Sequence, residues 1–306
     1  MRVIVVGLGV QGYKRRKYAG ADYVASVDPA NPEADFRDLR EVPLDEYDAV
    51  LTCVPDEPKF NIIRNCLLNG KHVMVEKPLW TEHTEQIGEL ADVACQNNVV
   101  CYTAYNHRFE PHFMRMRDLI TSKALGTIYS CRMFYGNGTA RLVRDSIWRD
   151  QGAGVLPDLG SHLLDTCCFW FDTDLSSFKL LSAHSFENRA LDHVVVSSET
   201  TQPRIELEMT LCMWRNHFTC DVLAENGSAH IESLCKWGPS TFTHRTRVMP
   251  SGRPFEYQTT LVESDPTWAS EYSHFKNLVL GKSRTDLYQD KLLQLSLRRL
   301  GAEAVQ

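Results

Sequence analysis

Met1-Arg-Val-Ile-Val-Val-Gly-Leu-Gly-Val-Gln-Gly12 opens the chain, an apolar, β-branched run that feeds straight into Gly7, Gly9 and Gly12. A strand, glycines at this spacing and then a helix, expected over 13–18, make the turn that holds a dinucleotide. The first glycine makes the tight turn, the second lets backbone approach a pyrophosphate, and the third lets helix pack on strand. The helix start, with Val10 and Gln11, offers free N–H groups and a partial positive charge. A second strand, Tyr23-Val-Ala-Ser-Val27, ends in Asp28. A carboxylate there can accept hydrogen bonds from both ribose hydroxyls of NAD and repels the 2′-phosphate of NADP. No Arg or Lys stands immediately beside Asp28, so NAD is the expected cofactor, with NADP disfavoured.

The 306 residues leave room for two domains. With 33 basic and 39 acidic residues, net -6, the chain has no electrostatic footprint for nucleic acid or anionic lipid. The amino terminus reads as a core strand rather than a signal peptide, and no apolar run reaches membrane-spanning length, so a cytoplasmic protein is expected. Ten cysteines contain no CxxC pair and fall mostly inside apolar patterns. They read as reduced core residues, and no metal site is expected. Lys14-Arg-Arg-Lys17 reads either as a flank to a phosphate or as a solvated helix face.

Strand and helix alternate through residue 104, as a doubly wound parallel sheet of the Rossmann type requires. The apolar run 47–54 suits a strand buried on both faces. Prolines at 55 and 58 break it, helices are expected over 60–68 and 84–97, and strands over 71–75 and 99–103. Beyond that point helices over 109–122 and 157–171 precede strand-like stretches at 127–135, 178–187, 193–198, 204–213, 218–223, 229–233 and 255–262. Asn226-Gly227 supplies positive φ to a hairpin, and helices over 266–280 and 287–302 close the chain. The expectation is therefore a dinucleotide domain over 1–104 and an α+β domain over 105–306, built on a large, mostly antiparallel sheet. One apolar face of that sheet would pair copies into a homodimer or homotetramer.

Two stretches carry chemistry. Glu76-Lys77-Pro78 follows a strand, so it lies at the carboxyl edge of the sheet where ligands of such folds bind. Lys77 there is able to stabilise a developing alkoxide, or else is a surface lysine paired with Glu76. In Gly152-Ala-Gly-Val-Leu-Pro-Asp-Leu-Gly-Ser-His-Leu-Leu-Asp165, a helix starting near Pro157 would set Asp158, His162 and Asp165 on one face. Asp158 could then fix the tautomer of His162 and raise its basicity, or the pair could be a cap and a structurally bonded histidine. Gly160 inside that helix costs about 1 kcal/mol against Ala, which suggests that something approaches it closely. His107 and His112 read as hinge or surface residues, and Trp268, Phe275 and Leu278 as core.

Taken together, Gly7-x-Gly9-x-x-Gly12, Asp28, Val54-Pro55-Asp56, Glu76-Lys77-Pro78, Tyr105-Asn106-x-Arg108-Phe109, Trp148-Arg149 and Gly152-x-Gly154-x-x-x-Asp158-x-Gly160-x-His162 resemble the glucose-fructose oxidoreductase / inositol dehydrogenase / rhizopine catabolism (Gfo/Idh/MocA) family over essentially the whole chain. The resemblance implies a catalytic set of Lys77, Asp158 and His162. It implies cofactor contacts from Cys53, Val54, Pro55, Glu76, Lys77 and Asn106, and substrate contacts from Lys77, Arg108, Trp148, Arg149, Asp158 and His162. Three departures stand out: a short, proline-interrupted segment after Asp28 in place of a helix and strand, Phe60 where a His is usual, and Ala153 inside the usual glycine triplet. The short segment suggests an open adenine pocket.

The function expected is an NAD-dependent oxidoreductase moving hydride between a secondary alcohol of a carbohydrate-like small molecule (a sugar, sugar nucleotide or cyclitol) and the nicotinamide. Two alternatives stay open at this level: an NAD-dependent glycoside hydrolase using transient sugar oxidation, and a non-catalytic NAD-responsive binding protein. Arg108, Arg132, Arg141, Arg144 and Arg149 either bind an acidic substrate or are surface charge.

Overall fold

The opening run forms β1 (Val3–Val6), every residue of it buried, followed by α1 (Val10–Ala19), β2 (Tyr23–Val27), β3 (Ala49–Thr52), α2 (Asp56–Leu68), β4 (His72–Glu76), α3 (Glu85–Gln96) and β5 (Cys101–Ala104). The computed structural model describes residues 1–146, 149–198 and 202–305. The five strands pair in parallel in the order β2-β1-β3-β4-β5. Side chains alternate across the sheet. Ile4, Val6, Val50, Val73 and Val75 pack with Ile63 and Leu67 of α2 and Ile87 and Leu90 of α3, while Val3, Val5, Leu51 and Met74 pack on the opposite side. Both faces are covered, which is why these strands read as unbroken apolar runs. Helix α2 starts at Asp56 and not after the prolines, because Pro58 falls in its first turn, where no intrahelical N–H is needed.

After β2 the usual further strand shrinks to one bridge. Phe36 pairs in parallel with Val27, its N–H donating to the Ser26 carbonyl and its carbonyl accepting from the Asp28 N–H, each at 3.0 Å. The Asp35 carboxylate accepts from the Ser26 N–H and Oγ, both at 2.8 Å. A few residues thus satisfy the edge of β2 that a strand would otherwise cover.

The second unit comprises α4 (Pro111–Thr121), β6 (Ile128–Gly136), α5 (Ala140–Arg144), a π-helical turn over Leu156–Gly160 running into α6 (Ser161–Phe171), and then β7 (Phe178–His184), β8 (His193–Ser198), β9 (Arg204–Thr210), β10 (His217–Ala224), β11 (Gly227–Glu232), β12 (Ser240–Val248) and β13 (Gly252–Leu261). Its sheet runs β13-β12-β11-β10-β6-β9-β8-β7, antiparallel except for β6 beside β9. Strand β12 and the short α5 were not expected from the sequence. In Ser240-Thr-Phe-Thr-His-Arg-Thr-Arg-Val248 the apolar positions are too few to show alternation. The β10–β11 turn is Glu225-Asn226, with Ala224 opposite Gly227. Gly227 alone takes positive φ, 152°, and a Cβ there would lie 1.9 Å from the Arg245 carbonyl oxygen. Asn226 does not adopt the positive φ expected of it.

Two further helices follow, α7 (Thr267–Leu280) and α8 (Tyr288–Val305). By compactness, Met1–Asn106 and Thr267–Gln294 form one unit, and His107–Pro266 with the chain from Leu295 onward the other. The division therefore differs from a single cut after residue 104. Tyr272 and Phe275 of α7 are buried against Val3, Val5 and Leu51, which draws that helix into the dinucleotide unit.

The solvent face of the large sheet is not the continuous apolar surface expected. Glu206, Arg132, Asp221 and His230 stand opposite one another on β9, β6, β10 and β11. Arg132 pairs with Glu206 at 3.0 Å, His230 with Asp221 at 2.5 Å, and Arg245 with Glu256 at 2.7 Å. Opposite charges directly across strands stabilise the pairing while keeping that face wet. All ten cysteines are free. Among the described residues, no helix is long and apolar enough to cross a membrane.

Candidate active site

The glycine turn has the shape its spacing implies. Gly7 sits at φ +91°, and a Cβ on it would lie 2.5 Å from the Cys53 carbonyl oxygen. A Cβ on Gly12 would lie 2.0 Å from the Gly7 carbonyl oxygen, so only glycine lets α1 come this close. At Gly9 a Cβ would meet nothing within 4 Å: the space beside the backbone is open. Gly9, Val10 and Gln11 are exposed, and no side chain caps the helix, leaving its first N–H groups available. Two glycines needed for packing and one facing open space at a bare helix N-terminus fit a bound pyrophosphate.

Asp28, half-buried at the end of β2, is already engaged. One carboxylate oxygen accepts from the Leu8 N–H at 2.7 Å, the other from the Ala30 and Asn31 N–H groups at 2.9 and 2.8 Å. Burial pushes its pKa up, but these backbone donors outweigh that and hold it below the usual carboxylate value. With about four lone-pair sites on a carboxylate, one is left, enough for a single ribose hydroxyl rather than both. The fold also brings Arg37 into this loop, where it donates to the Asp28 and Asn31 carbonyls at 3.3 and 2.5 Å. The sequence neighbours of Asp28 gave no sign of that cation.

Cys53, Val54 and Pro55 leave the carboxyl end of β3, with Pro55 exposed and Cys53 and Val54 half-buried. Next to them β4 ends in Glu76, and the Lys77-Pro78 peptide is cis. Glu76 takes the Arg15 guanidinium at 2.5 Å, and Arg15 also reaches Glu271 at 2.8 Å. Arg15 is 2% exposed, so this member of the basic cluster is no solvated face. From the other side, the buried Lys59 donates to Asp56 at 2.5 Å and to the Pro78 carbonyl at 3.1 Å. The segment bearing the half-buried Lys77 is therefore gripped by two cations, Arg15 from the basic cluster and Lys59, which no motif marked. Asn106, the last residue of this stretch, is buried and donates to Thr267 Oγ1 at 2.9 Å.

In the second unit the π-turn carries Asp158 and delivers the chain into α6 at Ser161, so His162 lies in the first turn of the regular helix. Single π-turns within helices recur at functional sites. Gly160 is approached as expected: a Cβ there would lie 2.7 Å from Met209 Sδ. Asp158 pairs with Arg149 at 3.6 Å. Arg108 grips Asp165 in a two-pronged pair at 2.9 and 2.5 Å, which commits much of its donor fork. Burial raises the Asp165 pKa and the guanidinium opposes it. Trp148 lies outside the described residues.

His162 is buried, its ring stacked on that of His107 with centroids 3.9 Å apart and planes at 17°. His107 is 1% exposed, so it is no surface residue, and it is the first residue of the second unit. Lys236, just after β11, lies 3.3 Å from His107 Nε2 and donates to the Tyr135 hydroxyl at 3.1 Å. His112 is buried as well, its Nε2 3.0 Å from the Ser240 carbonyl. Among the described residues, no group of His, Cys, Asp or Glu side chains is placed to hold a metal ion.

Known proteins match along both units. Residues 1–105 match the oxidoreductase family with NAD-binding Rossmann fold, and residues 113–230 the GFO/IDH/MocA C-terminal domain. D-glucoside 3-dehydrogenase of Escherichia coli (strain K12) is 30% identical over 149 residues, 46% of this chain and 40% of that protein. Trans-1,2-dihydrobenzene-1,2-diol dehydrogenase of Xenopus laevis is 32% identical over 102 residues, 33% of this chain and 30% of that protein. The matched stretch thus spans less than half of these curated relatives. A levoglucosan dehydrogenase solved with NADH and L-sorbose shares the fold, with a TM-score of 0.82 at 18% identity over 99% of this chain and 97% of that one.

Proposed function

Because the chain belongs to the GFO/IDH/MocA oxidoreductase family, an NAD(P)-binding group, we propose that it is a dehydrogenase that uses NAD to oxidise a secondary alcohol of a sugar, sugar nucleotide or cyclitol, or to reduce the matching ketone. The observation that supports this most is the glycine turn, where Gly7 and Gly12 admit no side chain and Gly9 faces open space. Bound NAD would supply the hydride-accepting nicotinamide carbon. His162 accepts the hydroxyl proton as the carbon–hydrogen bond gives up its electron pair. The Lys77 ammonium stabilises the alkoxide as it forms. Asp158, neutralised in part by Arg149, supports the imidazolium. Gly7, Gly9, Val10, Gln11, Gly12 and Asp28 hold the pyrophosphate and ribose, and Cys53, Val54, Pro55, Glu76 and Asn106 flank the nicotinamide end. Arg108, Arg149 and Trp148 complete the substrate side.

The relatives' names suggest first substrates: glucosides, levoglucosan and UDP-N-acetylglucosamine, each with NAD and NADP, followed by absorbance at 340 nm. Lys77→Ala and His162→Asn should lower turnover by about 10²–10⁴-fold, with NADH affinity by fluorescence titration nearly unchanged. Turnover within a few-fold of wild type in both variants rules out these roles. Pairing of copies through the large sheet would bring its charged ladder into the interface, so the proposed dimer or tetramer should loosen with salt in light scattering.

A further inference from the structure

We propose that Lys236 locks His107 in its neutral Nδ1–H form, so that a proton reaching the stacked histidine pair goes to His162 alone. The inference rests on His162 being the proton acceptor of the proposed reaction. A lysine ammonium has donors and no acceptor. At 3.3 Å from His107 Nε2 it can only donate, and the ring nitrogen it meets must be bare. Protonating His107 would break that bond and set a second cation against the first inside a buried site. Lys236 also meets neutral groups: the Tyr135 hydroxyl at 3.1 Å, and the rings of Trp237 and Tyr135 at 4.7 and 5.5 Å. The buried Glu110 carboxylate feels its charge, although burial holds the Glu110 pKa above the usual carboxylate value.

The stack makes this matter for His162. A neutral imidazole 3.9 Å away and nearly parallel offers its face to an imidazolium, whereas a charged one repels it. Other ionisable groups lie around this pair within the unit, among them Glu263 and Asp265, which act through space on Cys235 beside Lys236. Tyr135 lies 6.2 Å from His162, ring to ring. Asp158 and Asp165 stand about one turn to either side along its own helix, tied to Arg149 and Arg108. Glu110 is beside the Lys236 loop, accepting from the Cys235 N–H at 3.2 Å. Lys236 acts on the proton through His107, which makes it a positioning residue.

The test uses the full-length protein labelled with ¹⁵N-histidine, with His107→Phe and His162→Gln to assign the imidazole signals. In wild type, His107 should show one protonated and one bare nitrogen, unchanged from pH 5.5 to 8. In Lys236→Met it should titrate inside that window, and the acid limb of kcat/KM should move up by about one pH unit, since the pair then takes its first proton more readily. Lys236→Arg should bring the limb back toward wild type. Lys236→Gln, which keeps a donor and loses the charge, serves where the methionine variant does not fold. A His107 that titrates in wild type, or stays locked in Lys236→Met or Lys236→Gln, overturns the proposal. A lock that depends on Lys236 in a protein whose His162→Asn variant turns over normally would leave the lock standing and sink the dehydrogenase mechanism instead.

Discussion

Replacing Arg15 by methionine removes a cation shared by two carboxylates in the dinucleotide unit. Arg15 is 2% exposed, Glu271 0% and Glu76 15%, with contacts of 2.5 Å to Glu76 and 2.8 Å to Glu271. Arg15 also lies over the Trp268 ring at 4.3 Å, a contact whose apolar part methionine retains. Removing one partner of a buried ion pair costs about 3–5 kcal/mol, because the remaining charge stays buried without compensation. At roughly 3–4 °C per kcal/mol for a unit of this size, the transition should fall by about 10–20 °C in calorimetry at pH 7. Arg15→Met/Glu271→Leu, which swaps the buried pair for apolar groups, should regain most of the loss. The double variant still leaves Glu76 without its guanidinium. Any drop in NADH affinity that survives the rescue therefore reports on the strand end preceding Lys77, and not on stability. A single variant that loses less than about 1 kcal/mol would show that these three groups do not form a buried charge network.

Asp28→Asn should lose about 1–2 kcal/mol at pH 7 through its weakened backbone bonds. Since Asp28 is held below its ordinary pKa when folded, its contribution is complete above the unfolded value and fades as pH falls through the folded one, so wild type and variant should converge below about pH 4 in denaturant titrations. Asp28→Ala should also narrow the preference for NADH over NADPH in fluorescence titrations, and an unchanged ratio would mean that the last open site on this carboxylate does not face the ribose. Gly12→Ala, whose Cβ would sit 2.0 Å from the Gly7 carbonyl oxygen, should abolish NADH binding at micromolar cofactor, as read by calorimetry. Lys59→Met removes the donor to the Pro78 carbonyl, and should raise the cofactor Kd while leaving far-UV circular dichroism unchanged.

The parallel sheet was legible because each of its strands carries its own instruction. A run buried on both faces has no polar alternation to confuse, and the glycine turn after β1 is decided by residues within a dozen positions of one another. The second sheet was legible only where one face is apolar. Strand β12 places Phe242 inward and His244, Arg245 and Arg247 among its other positions, and its pairing depends on β11 and β13 rather than on its own pattern. The helix α7 read correctly as core, yet nothing in its spacing says which unit it serves. That is set by the gap above Val3, Val5 and Leu51 that Tyr272 and Phe275 fill.

The same distinction explains the site. The residues proposed to react, Lys77, Asp158 and His162, are carried by short motifs and can be picked out by reading along the chain. The residues that set their surroundings cannot, since each works across a long loop: Arg15 on Glu76, Lys59 on the Pro78 carbonyl, Lys236 on His107. All of these are cations brought to the end of a strand or beside a histidine by folding alone. In a partly dry site, a cation's effect on a neighbouring proton or carboxylate exceeds what the same charge would have in water. On the proposed reading, the motif names the groups that react, while long-range packing sets the charge around them. A variant library confined to the motif would therefore leave unsampled the positions proposed here to tune the pH range of the proposed reaction.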